Sequence, residues 1–422
     1  MASAPDPTHG TLSTLTQHEV DDLHDAAGDL LADAVVLRRT LHEWPELGNH
    51  LPRTREAVLS ALEGLPLDIT LHQTTSGVAA LLEGGRPGPT VLLRGDMDAL
   101  PMPEDTGLEY ASRVEQCMHA CGHDTHTAML VGAARLLSAR RSDLAGRVLF
   151  MFQPGEEGHH GARYMLDEGM LDLPDFSDGS PSPVTSAFAL HITSSLPSGW
   201  LGTRPGPVMA SSDEVRIVVT GAGGHASEPH RTRDPIPVAC EIVQALQTMV
   251  TRRIDVFDPT VVTIARITAG TTYNVIPETA EIVGTIRAVS ERTRARVHDG
   301  VRRVAEGIAA AHEVSVDVQL VHGYPVTVND VPAARRALDV ARATVAGRGR
   351  VAELPNPIMG AEDFSYVLQR LPGVMMFLGG TPADRDPATA APNHSNRVTF
   401  DEPAMATGIA TYAALALDRL RV

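Results

Sequence analysis

The sequence is poor in aromatic residues, poor in cysteine and free of long apolar runs. Phe, Trp and Tyr make up only 4% of its 422 residues, so Val, Leu, Ile and Ala must fill the interior. Hydrophobic residues as a class reach 43%, enough for sizeable cores, and the length admits two or three domains. No stretch approaches the roughly 18 consecutive apolar residues of a membrane-spanning helix, so no membrane partner is expected. The opening segment MASAPDPTHGTLSTLTQHEV lacks a basic start followed by an apolar stretch. It predicts no secretory signal, and residues 1–20 read as a flexible polar lead-in. Positive charge is also short, with 35 Lys and Arg against 52 Asp and Glu, a net −17. Nucleic acid binding needs clustered cationic side chains to neutralise phosphate, so it is not expected either. The cysteines Cys117, Cys121 and Cys240 are too few for a disulfide framework, which points to a reducing cytoplasm.

What is present is an alternation. The segment from about Val20 to Leu41 carries apolar residues at helical spacing and stops at WPELG. Thr90–Arg94 reads as a strand running into GDMDALP, Thr125–Ser138 as a helix, and Arg147–Gln153 as a strand running into PGEEG. Ser186–Leu190 reads as a strand ending on His191, and Gly373–Gly380 as another. Strands alternating with helices predict an α/β catalytic domain on a mostly parallel sheet. The polar motifs fall at the C-terminal ends of the strands, where ligand sites in such sheets sit. Across 208–322 the order changes: strand Glu214–Thr220, helix Pro237–Arg252, strands Pro259–Ile267 and Ala280–Val289, helix Ser290–Ala311, strand Val314–Leu320. That βαββαβ order predicts an α+β sandwich inserted into a catalytic domain formed by residues 21–207 and 323–422.

The segment MHACGHDTH gathers His119, Cys121, His123, Asp124 and His126. A thiolate and an imidazole two residues apart, with Gly122 between them, can face one cavity. Their softness favours zinc, with manganese, cobalt or nickel as alternatives, over magnesium or calcium. Glu156 and Glu157 follow a strand, His191 ends one, and His394 lies in a loop before the last helix. Each has a plainer reading alone: a solvated carboxylate pair, a core histidine, a surface loop. Together they place a thiolate, imidazoles and carboxylates at one edge of one sheet, which suits a metal centre. Gly221-Ala222-Gly223-Gly224-His225-Ala226 fits the dinucleotide fingerprint by letter, but Pro229, Pro235 and Pro237 delay the helix that must follow at once. A nucleotide site is therefore not expected.

Seven motifs occur in order between LHEWPELG and FDEPAMATG: GDMDALPM, MHACGHDTHTAML, FQPGEEG, GGHAS, YNVIP, GTIR and MGAEDFSY. In these the chain resembles the M20 metallopeptidase family, in the amidohydrolase branch that contains hippurate hydrolases, N-acyl-amino-acid amidohydrolases and auxin-conjugate hydrolases. The resemblance implies two divalent ions per subunit held by Cys121, His123, Glu157, His191 and His394, with Cys121 bridging. It implies Glu156 as general base, Asp98 as the residue orienting a ligand histidine, and His225 with Asn274 at the oxyanion. Arg287 would bind a substrate carboxylate, and Gly360 and Glu362 would shape the pocket. The inserted domain would serve as lid and dimerisation domain, making the protein a homodimer or higher homo-oligomer. The expected reaction is hydrolysis of an N-acyl-L-amino acid or peptide to a carboxylate and a free amine. A dipeptidase or aminobenzoyl-glutamate-type hydrolase is the alternative within the class, and a non-catalytic metal or ligand binder the alternative outside it. Two departures bear on the substrate: His159 and His160 stand where small residues are usual, and Asn396 replaces a usual proline, which would loosen the loop presenting His394.

Overall fold

The structure, a computed structural model, describes residues 15–421. It divides into two compact units. One runs to Gly206 and resumes over Val328–Pro355 and from Tyr366 onward; the other comprises Pro207–Thr327 and Asn356–Ser365.

The first unit is built on an eight-stranded sheet, in the spatial order Leu67–Leu71, Val78–Glu83, Ala145–Gln153, Arg86–Asp96, Val184–Pro197, Gly373–Thr381, Leu201–Thr203, Val351–Glu353. Its four central strands, Ala145–Gln153 to Gly373–Thr381, are parallel. Antiparallel neighbours flank them at Val78–Glu83 and Leu201–Thr203. Central parallel strands are covered on both faces, so they read as mostly apolar runs instead of alternating. AGRVLFMFQ and GVMMFLGGT are buried along their whole length. With aromatics scarce, the core around them is mostly Val, Leu, Ala and Met, with Phe150, Phe152, Phe188 and Tyr412 among them, and the helices His123–Ala139, Val331–Thr344 and Ala404–Leu420 contribute to it. No helix among the described residues is long and apolar enough to cross a membrane.

Two expectations for this unit are corrected. Residues 1–14 lie outside the described residues, but the rest of the expected flexible lead-in is ordered: the first helix spans Gln17–Glu43. Thr16 and Glu19 form a reciprocal capping box, the Thr16 side chain accepting from the Glu19 N–H and the Glu19 carboxylate from the Thr16 N–H at 2.8 Å. Glu19 also pairs with Arg421, and Leu15 and Val20 are buried. The strand expected to end on His191 continues to Pro197. Its parallel pairing with Gly373–Thr381 persists beyond His191, which lies opposite Phe377.

The second unit carries a four-stranded antiparallel sheet in the order Thr260–Ala269, Thr279–Ala288, Asp213–Thr220, Ser315–His322. Val215, Ile217 and Val219 alternate inward from the third of these and pack with the helices Pro235–Arg253 and Glu291–Ala311. A sheet half covered by helices keeps this two-residue period. The segment Asn356–Ser365 belongs here and not with the residues around it in sequence. Ala210 N–H donates to the carbonyls of Ile358 and Gly360, and Ile358 N–H to that of Val208. Backbone pairing of this kind leaves no mark in side-chain pattern.

Candidate metal centre

The centre begins at the turn before the helix His123–Ala139. Gly122 has φ +95°, and a Cβ there would lie 2.4 Å from Ile192 Cγ2, so only glycine fits. This turn sets Cys121 and His123 on one side. His123 Nδ1 lies 2.8 Å from the backbone carbonyl of Asp98. A carbonyl can only accept, so Nδ1 carries the proton and the lone pair sits on Nε2. His191 repeats the arrangement, with Nδ1 donating to the Ile192 carbonyl at 2.7 Å and Nε2 lying 3.3 Å from Cys121 Sγ. His394 Nε2 is 3.3 Å from the same sulfur and 3.2 Å from Glu157 Oε1. Glu157 Oε1 is in turn 3.9 Å from His123 Nε2.

The five residues that the resemblance marked therefore converge. Cys121, His123 and His191 form one set whose ligand atoms lie within 4.8 Å of one another; Cys121, Glu157 and His394 form a second. Cys121 belongs to both. Buried polar atoms are ordinarily hydrogen-bonded, yet His123 Nε2 and Glu157 Oε1 are buried without a hydrogen bond of usable geometry among the described residues. Burial, with Glu157 nearby, pushes the Cys121 thiol up. The approach of His394 to Cys121 and Glu157 pushes its imidazole up to about 10. The cluster thus selects positive charge at its middle, and its sulfur, imidazole and carboxylate donors suit divalent ions of the zinc type.

Asp98 does more than expected. Its carbonyl orients His123, while its carboxylate accepts from the N–H groups of Glu156 at 2.9 Å and Glu157 at 3.0 Å. One residue thereby fixes a ligand histidine and the turn carrying both glutamates. Glu156 is only 6% exposed and groups with Glu157 and His123. His126, in the same motif, has both ring nitrogens engaged: Nε2 accepts from the Ile192 N–H at 2.7 Å and Nδ1 donates to Asp96 Oδ1 at 2.5 Å. It is a structural histidine. His119 is buried, and burial pulls its imidazole down to about 4, leaving it neutral.

Sequence reasoning missed the anchor of Asp124. This carboxylate is fully buried and accepts from Arg38 Nε at 2.7 Å and His42 Nδ1 at 2.8 Å. Burial would raise its pKa, but Arg38 and His42 hold it well below the usual carboxylate range. Arg38 also donates to Glu402 Oε1 at 3.0 Å. The available signal was Arg38 and His42 four apart on one helix face.

In the second unit, His225 and Asn274 are neighbours. His225 pairs with Val275, and the Ala226 N–H donates to the Asn274 carbonyl at 3.1 Å. His225 Nδ1 accepts from the Ser227 N–H at 3.1 Å, which leaves the proton on Nε2. Arg287 is half-buried, burial lowers its pKa, and no hydrogen bond or salt bridge engages its side chain among the described residues. Glu362 is buried and its carboxylate turns back on its own chain, accepting from the Phe364 N–H at 3.0 Å. Gly360 lies beside Met209, with its carbonyl accepting from Ala210. The glycine-rich segment opens no phosphate-binding helix: Gly224–His225 is a short strand, and the next α-helix starts at Pro235 under an Asp234 cap.

The two departures are also placed. His160 sits in the left-handed region at φ +56° with Nδ1 2.9 Å from the Tyr366 hydroxyl, and His159 lies against Gly48. At Asn396 the loop is tied to its neighbour: the Asn396 carbonyl accepts from the Asp105 N–H, and Arg397 pairs with the Asp105 carboxylate at 2.7 Å.

The model of the family described as Peptidase family M20/M25/M40 matches residues 92–418. Thermostable carboxypeptidase 1 of Saccharolobus solfataricus is 37% identical over 387 residues, covering 91% of this chain and 94% of its own. N-acetylcysteine deacetylase of Bacillus subtilis is 38% identical over 384 residues, covering 90% and 95%. Among solved structures, the Bacillus subtilis YXEP protein, a dinuclear metal-binding peptidase of the M20 family, superposes with a TM-score of 0.77. It is 35% identical, and the match covers 93% of this chain and 99% of that one.

Proposed function

The chain belongs to peptidase family M20/M25/M40 and is a metal-dependent hydrolase of amide bonds, and on that premise we propose that it cleaves N-acyl-L-amino acids to a carboxylate and a free amino acid. The observation that carries the proposal is the convergence of Cys121, His123, Glu157, His191 and His394 with Glu156 on the same Asp98-held turn. These five residues hold two ions, zinc by the softness of the donor set. Bound ions supply Lewis acidity, polarising the scissile carbonyl and lowering the pKa of a water towards about 7.

Glu156 is the base. Its carboxylate takes a proton from the attacking water as the C–O bond forms and returns it to the nitrogen as the C–N bond breaks. Glu157, one residue on, stays with the ions. His225, protonated on Nε2, and the Asn274 amide are donors of the type that stabilises an oxyanion. Gly360 and Glu362 belong to the substrate pocket in this reading.

Arg287 favours a substrate that ends in a carboxylate, because a half-buried guanidinium without a partner can gain a bidentate one. Arg287→Ala is expected to raise KM for N-acyl amino acids ~10–100-fold, the range for losing a charge-assisted hydrogen bond of about 1.5–3 kcal/mol. KM for the matching C-terminal amides should stay unchanged. Equal changes for both series would remove Arg287 from carboxylate recognition.

The substrate class is tested with zinc-loaded protein on N-acetyl, N-benzoyl and indole-acetyl amino acids beside dipeptides and aminobenzoyl-glutamate. Highest kcat/KM within the acylated series is expected. Preference for dipeptides or aminobenzoyl-glutamate would replace the substrate reading, and no turnover of any would end it. Exposed apolar side chains on the second unit, among them Phe257 at 93% and Tyr273 at 96%, support a homodimer formed through that unit. Three unpaired cysteines support a cytoplasmic setting.

A further inference from the structure

We propose that Asn393 is a positioning residue that locks the metal cage into shape and so sets its affinity for the ions; the inference rests on the reading of the five converging residues given above. The Asn393 side chain donates through Nδ2 to the carbonyls of Cys121 and Ile192, both at 3.0 Å. Its Oδ1 accepts from the Ser194 N–H at 3.0 Å and lies 3.4 Å from the Ser194 hydroxyl. Two carbonyls on one side and an N–H on the other fix which way the amide points. Every hydrogen-bonding direction of the nitrogen is used.

The three segments joined in this way each carry a ligand. Cys121 is bonded directly, Ile192 and Ser194 follow His191 in its strand, and His394 is the next residue after Asn393 itself. The bonds span 272 and 201 positions of sequence, so nothing local could hold these segments in register. One small amide cross-links three of the five donors through their backbones while its own atoms stay out of the donor set.

A second observation points the same way. His394 adopts φ +68°, a left-handed conformation that a non-glycine residue keeps only where its surroundings over-determine it. The determining contacts are the Asn393 amide on one side and the His394 N–H, which donates to the Ala120 carbonyl at 2.9 Å. Without the amide, the His394 backbone would relax and its Nε2 would leave the sulfur and carboxylate that it now approaches. Asn393 therefore holds the segments that carry Cys121, His191 and His394 in register through its own hydrogen bonds.

The experiment measures zinc affinity of the full chain by competition with a chromophoric chelator, after metal removal. Wild type, Asn393→Ala, Asn393→Asp and Asn393→Ser are compared, each alone and combined with His394→Ala. Asn393→Asp keeps the shape but sets a carboxylate oxygen against two carbonyls. Affinity is expected to fall ~10–100-fold in the Ala and Asp variants, the range for losing the support of a ligand, with Asp the weaker binder and Ser the mildest. In the His394→Ala background the same substitutions should have a smaller further effect, the part that remains coming from the Cys121 and His191 segments, a coupling that a merely structural residue would not show. Unchanged affinity in Asn393→Ala, or the same loss with and without His394, overturns the proposal while leaving the hydrolase reading intact. Failure of all three variants to fold, judged by circular dichroism of the metal-free protein, also counts against it, because Asn393 would then serve the fold as a whole. If wild type takes up neither zinc nor manganese, cobalt or nickel, the reading of the five converging residues and this proposal fall together.

Discussion

Cys121→Ala protein will come off the column with its ions depleted and its hydrolytic activity gone. The sulfur lies 3.3 Å from the Nε2 atoms of both His191 and His394 and belongs to both three-residue sets. No other side chain common to those two sets could compensate. Losing a residue that merely supports a ligand typically weakens metal binding ~10–100-fold, so losing a donor that belongs to both sets should exceed about 100-fold for the pair. The fold should survive, because the side chain is small and the turn around it is fixed by Gly122 and by backbone hydrogen bonds. Serine separates charge and softness from size. A hydroxyl is a harder and less acidic donor than a thiol, so Cys121→Ser should regain part of its activity in excess manganese while Cys121→Ala does not. Elemental analysis of the purified variants gives the answer directly. Full metal content in Cys121→Ala would remove the thiolate from the centre.

Glu156→Gln should show the opposite pattern: both ions retained, activity lost. The substitution preserves the side chain's shape and the N–H that donates to Asp98 Oδ1, but the amide cannot accept a proton from water. General-base catalysis is worth about 10²–10⁴-fold, and a loss of that order in kcat with little change in KM is expected. Loss of metal together with activity would make Glu156 a ligand and not a base. Activity near wild type would place the base elsewhere.

The two substitutions also show which parts of the centre could be read before folding. MHACGHDTH and GEEG are local clusters of donors at strand ends, and their chemistry is visible as letters. The central strands were equally legible, because AGRVLFMFQ and GVMMFLGGT are mostly apolar runs with no alternation, as expected of doubly covered strands. What escaped was the work done by the backbone and by partners distant in sequence. Asp98 was expected to orient a histidine; that its backbone carbonyl lies at 2.8 Å from His123 Nδ1 and its carboxylate holds the N–H groups of both glutamates could not be read from the letters. Asp124 meets Arg38 across 86 positions of chain, and no spacing rule announces such a pair. The strand through His191 ran on because its neighbour Gly373–Thr381 continued beside it, a fact of pairing and not of composition. The capping box at Thr16 was different: Thr-x-x-Glu before a helical pattern is a known start signal, and the polar residues before it masked it.

The position of His394 has a consequence for how the protein is made. Its contact with Cys121 closes a span of 273 residues, and the parallel strand Gly373–Thr381, next to the one bearing His191, comes last in sequence among the described strands. Contacts this distant form only after the intervening chain is in place. A ribosome-bound fragment lacking its final fifty or so residues would display a cysteine, two histidines and a glutamate but could not close a cage around two ions. On the reading of the five converging residues, uptake of the second ion would wait until the segment around His394 has been made and has docked beside Cys121.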